Sequence, residues 1–316
     1  MIPSNIEQDI EKLCHGIPLA QLQKHFQFYS ERYREKKNSR QSLPGHIERI
    51  CYLVTRFPAT FAAASFVFKE ARRCLGDFHS LLDLGAGPGT ALIAAIESGI
   101  SLTSATLIEE NREFLGQGTS WCPSFTKREC KNLLNLEQLP EKEVSVFCYS
   151  LGEIPEKKQK NLLKLAWETS NKAVILIEPG TPAAFKNILE ARKYLIEMGG
   201  HVLAPCPHNL QCPLVEKKDW CHFSVRLQRS SLHRKIKGAD LGYEDEKFCY
   251  MILAKEPPEK TLPRIIKSPR KHSGYVELEL CTKEGIIEKK ISSKEKEKFK
   301  AAKDLNWGEL CYLEDC

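Results

Sequence analysis

Two sets of residues in this sequence have types and spacings that could do chemistry. The first is Asp83-Leu84-Gly85-Ala86-Gly87-Pro88-Gly89-Thr90, in which three glycines at alternate positions follow an apolar run. Glycine lets the backbone turn sharply and approach a ligand where a β-carbon would collide. An apolar, Ala-rich segment follows at 91–97, so the free N–H groups of a helix N-terminus would face whatever the turn binds. The next apolar run, Ser104 to Ile108, leads into Glu109. An acidic residue about 20 positions past such a loop is placed to take both hydroxyls of a ribose. Strand, glycine turn, helix and acidic strand end predict a pocket for a nucleoside-type cofactor, bound by Asp83, Gly85, Gly87, Gly89 and Glu109.

The second set is sulfur. Cys206, Cys212 and Cys221 fall within sixteen residues, and Pro207 and Pro213 follow two of them. Proline keeps neighbouring backbone out of helix, which suits a loop that wraps a metal site. The paired C-x-x-C knuckles of a zinc ribbon are absent. Loose spacing suits an iron–sulfur cluster, which is wider than one ion and takes four thiolates in the simplest case. Cys281 ends an alternating strand pattern from Gly274 and is the expected fourth ligand, in preference to Cys249 within the apolar run Phe248–Ala254. His208 and His222 are the alternative ligands, and they would point to zinc. Ala204-Pro205-Cys206 also looks like the Pro-Cys nucleophile of RNA cytosine-5 methyltransferases. That nucleophile belongs after a fourth strand, whereas this one follows the fifth and its helix, so a ligand role is expected.

The elements that must hold these residues alternate between strand and helix. Strands are predicted at His79–Leu84, Ser104–Glu109, Val144–Ser150 and Ala173–Glu178, with a weaker one near Ser124–Arg128. Helices are predicted at 91–98, 156–169 and 183–198. This is an α/β pattern with a parallel sheet covered on both faces. Ligands bind at the carboxyl ends of such strands. Loops 85–90, 150–153 and 178–182 should therefore rim one pocket, with Ser150 touching the cofactor. Glu153 is the candidate catalytic group, as a substrate-orienting residue or a base. It could equally cap the helix behind it. Residues 1–75 read as helices, broken or kinked at Pro58, with Tyr29 to Gln41 a charged connector. Residues 76–258 form the α/β domain, with a cysteine-rich insertion at about 201–238. Residues 259–316 form a small basic extension that supplies Cys281.

Composition narrows the class. With 316 residues, 42% hydrophobic and 28% charged, the chain can bury one substantial core. It has no apolar run long enough for a membrane span. Met1 to Cys14 carries Glu7, Asp9 and Glu11 and no basic or apolar leader, so a bacterial-type cytoplasmic setting is expected. In that setting the thirteen cysteines act as small buried hydrophobes or metal ligands rather than disulfides. Net charge is +6, and it is concentrated. Segments 226–238 and 260–272 contain Arg226, Arg229, Arg234, Lys235, Lys267 and Arg270 with no acid between them. Such blocks predict a phosphate-binding face for RNA. Lys289 to Lys303 mixes Glu with Lys as an exposed helix does.

The Asp83 to Gly89 stretch resembles the first motif of class I S-adenosylmethionine-dependent methyltransferases. With Glu178-Pro-Gly-Thr-Pro182, Ala204-Pro-Cys-Pro-His208, Asp219-Trp-Cys-His-Phe-Ser224 and Tyr243-Glu-Asp-Glu-Lys-Phe248 in the same order, the chain resembles the methyltransferase-like small-ribosomal-subunit assembly factors across residues 45–285. The resemblance implies a class I, Rossmann-like methyltransferase fold and S-adenosylmethionine as cofactor. It also implies binding to the small ribosomal subunit and its rRNA, and a 4Fe–4S cluster on Cys206, Cys212, Cys221 and Cys281. The expected protein is a monomer away from the ribosome that acts in subunit assembly and translation. Active rRNA methylation on an unknown base is the alternative.

Overall fold

The computed structural model describes residues 2–34, 43, 45–217 and 219–313. Among the described residues four helices come first: α1 (Ser4–Leu13), α2 (Leu19–Arg34), α3 (His46–Thr55) and α4 (Phe57–Leu75). Helical spacing buries Ile6, Ile10 and Leu22 against the rest of the core. Pro58 sits in the first turn of α4, where its missing N–H has no intrahelical partner to lose. The chain breaks at Arg56 and the two helices bend by 48°, as the sequence led us to expect. The charged connector is corrected in part, because α2 continues through Tyr29 to Arg34 and Tyr29 is buried. The end of that stretch lies outside the described residues. Among the described residues no single helix is long and apolar enough to cross a membrane.

The main sheet takes β1 (Ser80–Leu84), β2 (Ser104–Glu109), β3 (Thr126–Cys130), β4 (Lys142–Cys148), β5 (Ser170–Pro179), β6 (His201–Ala204), β7 (Phe223–Gln228) and β8 (Tyr243–Ala254). Its order is β3-β2-β1-β4-β5-β8-β6. β1 to β5 are parallel, and β8 runs antiparallel between β5 and β6. A β-strand points alternate side chains to opposite faces, so Leu81 packs with the N-terminal helices and Leu82 packs on the other side. The first face is covered by α4 and α5 (Thr90–Glu97), the second by α7 (Glu156–Thr169) and α8 (Pro182–Glu197), while α6 (Arg112–Gln117) follows β2. Strands buried on both faces read as continuous apolar runs, which is why β1, β2, β4 and β5 were visible in the sequence. A doubly wound sheet with this order and one antiparallel strand is the class I methyltransferase arrangement. Its order reverses between β1 and β4, where such sheets bind ligands.

β8 is longer than its neighbours need. Its inner half pairs with β5 and β6, while residues 243–248 pair with β7. The cysteine-rich segment 205–222 thus joins two strands lying end to end along one edge of β8. The short helix α9 (Ser231–Lys237) follows β7.

The C-terminal extension is a second sheet. It comprises β9 (Arg264–Ile265), β10 (Arg270–Lys271), β11 (Tyr275–Thr282) and β12 (Gly285–Ser292), followed by helix α10 (Lys296–Asp304). Val276, Leu278, Leu280, Ile291 and Ala302 form its small core. The single helix expected over 289–303 is corrected here. Residues to Ser292 pair with the alternating face of β11, and that packing overrides their helical propensity. Arg264 is also not part of a phosphate face. It is 1% exposed, pairs with Glu70 at 2.8 Å, and donates to the carbonyls of Pro205 and Gly308 at 3.2 and 2.7 Å. It pins the extension to α4 and to the cysteine segment.

Candidate functional site

At the β1 turn, Gly85 has φ +79, and a β-carbon there would lie 2.4 Å from Ser150 Cβ. Only glycine fits this close approach, and Ser150 closes it further by donating its hydroxyl to the Leu84 carbonyl at 2.5 Å. Glu109 does not point into solvent. It is buried, accepting from the Gly87 N–H at 3.0 Å and the Asn111 N–H at 2.9 Å. Its carboxylate therefore sets the shape of the glycine turn. Asp83 is fully buried with neither oxygen hydrogen-bonded in the structure. Burial, with help from the charge of Glu109, pushes its carboxyl up to about 8. A buried carboxyl without a partner is costly, and it marks a place prepared for a donor or a cation.

These residues surround a cavity of about 990 Å³, counting its open mouth. Its walls include Asp83, Gly85, Gly87, Glu109, Ser150 and the half-buried Glu153. Gly89 lies behind the turn, with φ +90 and the Cys122 sulfur close by. The N-terminal helices complete the enclosure with Tyr29, Tyr52, Arg56 and Thr60. Sequence reasoning missed these four, which come from a region with no local motif. It also missed Glu110, which lines the cavity and accepts from Asn132 Nδ2 at 2.8 Å.

Loop 178–182 departs from expectation, because it does not line this cavity. Pro179, Gly180 and Thr181 face a neighbouring groove. Glu178 acts behind the pocket and accepts from the Gly152 N–H at 3.2 Å. Burial pushes its carboxyl up to about 7, while the N–H groups of Gly152, Leu151 and Ser150 pull it back. It thereby anchors the turn that carries Glu153.

The cysteines meet at a second cavity. Cys206, Cys212 and Cys221 from the β6–β7 segment and Cys281 from β11 line one space of about 440 Å³, together with Leu214, Ile266 and Ile286. Cys249 lines it as well, but its thiol donates to the Pro179 carbonyl at 3.3 Å. The cavity lies between the main sheet and the C-terminal one. Burial raises all four thiols, and the charges of Cys206, Cys281 and Cys212 raise Cys221 further. His208 Nε2 stands 3.8 Å from the Cys281 sulfur. His222 is elsewhere, its ring 5.0 Å from those of Trp220 and Trp307. Among the described residues no group of three or more His, Cys, Asp or Glu side chains converges as a single metal ion requires. Cys206 does not line the cofactor cavity, so it is not placed as a nucleophile there.

Most of the basic residues acquire acids from other strands. Arg226 pairs with Asp245 at 2.7 Å, Arg229 with Glu244 at 3.0 Å, Lys267 with Asp219 at 2.5 Å and Arg270 with Glu277 at 2.8 Å. The blocks are acid-free along the chain but not in space. Arg234 and Lys235, on α9, are exposed.

Strand order and a glycine turn beneath a nucleoside-sized cavity define a class I methyltransferase-like protein. The chain belongs to the family described as mitochondrial small ribosomal subunit Rsm22, whose model matches residues 46–311. It is similar to the human ribosome assembly protein METTL17, mitochondrial, with 27% identity over 289 residues covering 83% of this chain and 62% of that one. It is also similar to Rsm22-cox11 tandem protein 2, mitochondrial, of Schizosaccharomyces pombe, at 23% identity covering 84% and 43%. The chain therefore spans less than two thirds of these relatives. Among solved structures it is similar to the N-methyltransferase NodS of Bradyrhizobium japonicum, with TM-score 0.42, 10% identity and coverage of 71% and 97%. Magnesium protoporphyrin IX methyltransferase of Synechocystis gives TM-score 0.40, 11% identity and coverage of 63% and 80%.

Proposed function

We propose that this chain is an S-adenosylmethionine-binding, methyltransferase-like factor that acts on the small ribosomal subunit during assembly and supports translation through contact with rRNA. The buried, unpartnered Asp83 above the glycine turn carries the cofactor reading. A carboxyl left without a donor, beside a cavity that also presents Glu109, suits a ligand with a cationic centre next to a ribose. Gly85, Gly87 and Gly89 shape the turn. Glu109 and Glu110 would serve the nucleoside end, and Asp83 with Ser150 the amino-acid end. The human relative's name, a ribosome assembly protein, supports the ribosomal setting. Arg234 and Lys235 are the cations best exposed for phosphate, with Arg226, Arg229, Lys267 and Arg270 needing to exchange their carboxylate partners.

The cysteine cavity fits a 4Fe–4S cluster better than a zinc ion. Its lining donors are thiols and its walls are apolar, surroundings that suit a sulfur-ligated cluster. Cys206, Cys212, Cys221 and Cys281 would hold the cluster, which would supply a covalent clamp between the two sheets. Glu153 on the cavity wall keeps a second reading alive, that of an rRNA methyltransferase with this residue as its base. Cells lacking the protein separate the two. Stalled small-subunit particles with unchanged rRNA methylation support the assembly factor, whereas loss of one methyl group from rRNA would establish the enzyme.

A further inference from the structure

Arg56 stands at the break between α3 and α4 and reaches across to β8. Its Nη1 and Nη2 donate to Glu246 Oε2 and Oε1 at 2.9 and 2.8 Å. The Tyr149 hydroxyl donates to Glu246 Oε1 at 2.8 Å, and the Tyr149 ring centre lies 4.8 Å from the guanidinium. The two charged side chains are 19% and 8% exposed, so the trio is largely shielded from water. Tyr149 has φ +58, alone in that region among the described non-glycine residues. Such a backbone persists only when its surroundings hold it. Here the Tyr149 N–H donates to the Ile177 carbonyl at 2.7 Å.

The position of the trio gives it meaning. Arg56 and Tyr149 line the cofactor cavity. Arg56 and Glu246 line the neighbouring groove, which continues past Phe26, Thr181, Lys237 and Lys247 to the surface. Arg56 lines both spaces, as Tyr29 does, so the ion pair and the phenol form part of the partition between them. They come from three separate segments: the break between α3 and α4, the residue that follows β4, and the half of β8 that pairs with β7.

We propose that Arg56, Glu246 and Tyr149 form a closed gate between the cofactor pocket and an outer groove, and that the groove is the entry for a methyl acceptor. The inference rests on the cofactor reading above. With Glu109 serving the nucleoside end, a bound cofactor would be separated from the groove by Arg56, Glu246 and Tyr149. In this closed state a bound cofactor would be held without being presented to the groove.

The test uses S-adenosylhomocysteine and the cofactor analogue in which a benzyl group replaces the transferable methyl. Binding of each is measured by calorimetry to wild type, Tyr149→Gly and Glu246→Gln. Glycine tolerates the backbone at 149 and removes the ring, while the glutamine breaks the ion pair and keeps its shape. Wild type should bind the benzyl analogue roughly 10- to 100-fold more weakly than S-adenosylhomocysteine, the cost of overfilling a closed site. In Tyr149→Gly the ratio of the two affinities should approach one, and Glu246→Gln should fall between. Equal binding of both compounds to wild type would overturn the gate alone, as would a ratio unchanged in both variants. No binding of S-adenosylhomocysteine to wild type would reject the cofactor reading and the gate with it.

Discussion

The two cavities of this molecule are built on opposite plans. The cofactor cavity has one wall made by the glycine turn and the ends of β2 and β4, is closed by the N-terminal helices, and leaves a carboxyl unpartnered. The cysteine cavity is apolar and is assembled from segments as far apart as Cys206 and Cys281. One is a site prepared for a diffusible polar ligand. The other is a joint, where two sheets are held by groups with little affinity for water. The difference predicts that damage to the joint should spread through the C-terminal sheet while leaving the pocket intact, and that damage to the pocket should remain local.

Loss of the joint gives the largest expected effect. Cys281→Ser removes the one thiol that the C-terminal sheet contributes to the proposed cluster site. The purified protein should lose its iron and sulfide, and residues 260–313 should become sensitive to limited proteolysis. A variant with full iron content would return Cys281 to the ordinary core. Cys249→Ser, in the same wall but with its thiol spent on a carbonyl, should keep the iron.

The buried ion pair tests the same joint without touching sulfur. Arg264→Met leaves Glu70 with only Arg73, at 3.1 Å, and strands the carbonyls of Pro205 and Gly308. Removing one partner of a buried pair costs about 3–5 kcal/mol. Urea unfolding should show a loss near the lower end, because Glu70 keeps one cation. A change below about 1 kcal/mol, the scale of exposed pairs, would mean that Arg264 is not the pin described here.

On the pocket side, Gly85→Ala drives a methyl group into Ser150 and demands a left-handed backbone of an L-residue. S-adenosylmethionine affinity should fall by roughly 10- to 100-fold, with iron content unchanged. A subtler effect follows from Asp83. Its carboxyl is raised in the fold from 3.8 to about 8, so the folded state holds the proton more tightly than the unfolded one. The stability this group gives is full at acid pH, below 3.8, and is lost as pH rises through about 8. A cationic ligand favours the ionised form, so binding below that pH should release a proton. Affinity should rise with pH toward about 8, by at most tenfold per unit, and Asp83→Asn should flatten the profile. Equal slopes in the two proteins would detach Asp83 from the ligand.

The contrast between the cavities also explains what the sequence made legible. Strands β1, β2, β4 and β5 are buried on both faces and carry their signal in a few consecutive residues. The glycines and Glu109 sit at fixed offsets from those strands, so one wall of the pocket could be read directly. Arg56, Tyr149 and Glu246 could not, because 190 residues separate the partners of their ion pair. Arg264 was grouped with surface cations because its neighbours in sequence are basic, and nothing local reveals Glu70. The carboxylate partners of the acid-free blocks were hidden in the same way, since Glu244, Asp245 and Glu277 arrive through strand pairing. The cysteine set was legible from its spacing: three thiols in one loop, two of them followed by proline, and a fourth near the end of an alternating strand. The extension of α2 and the strand at 285–292 were hidden because charged residues obscure helix and strand alike.

The separateness of the two sites is most directly tested by titrating S-adenosylmethionine into wild type and Cys281→Ser while assaying iron in the same preparations. The account predicts that iron disappears from the variant while cofactor affinity stays within about threefold, under 1 kcal/mol. Loss of cofactor binding in step with the iron would contradict it and show that pocket and joint are one site.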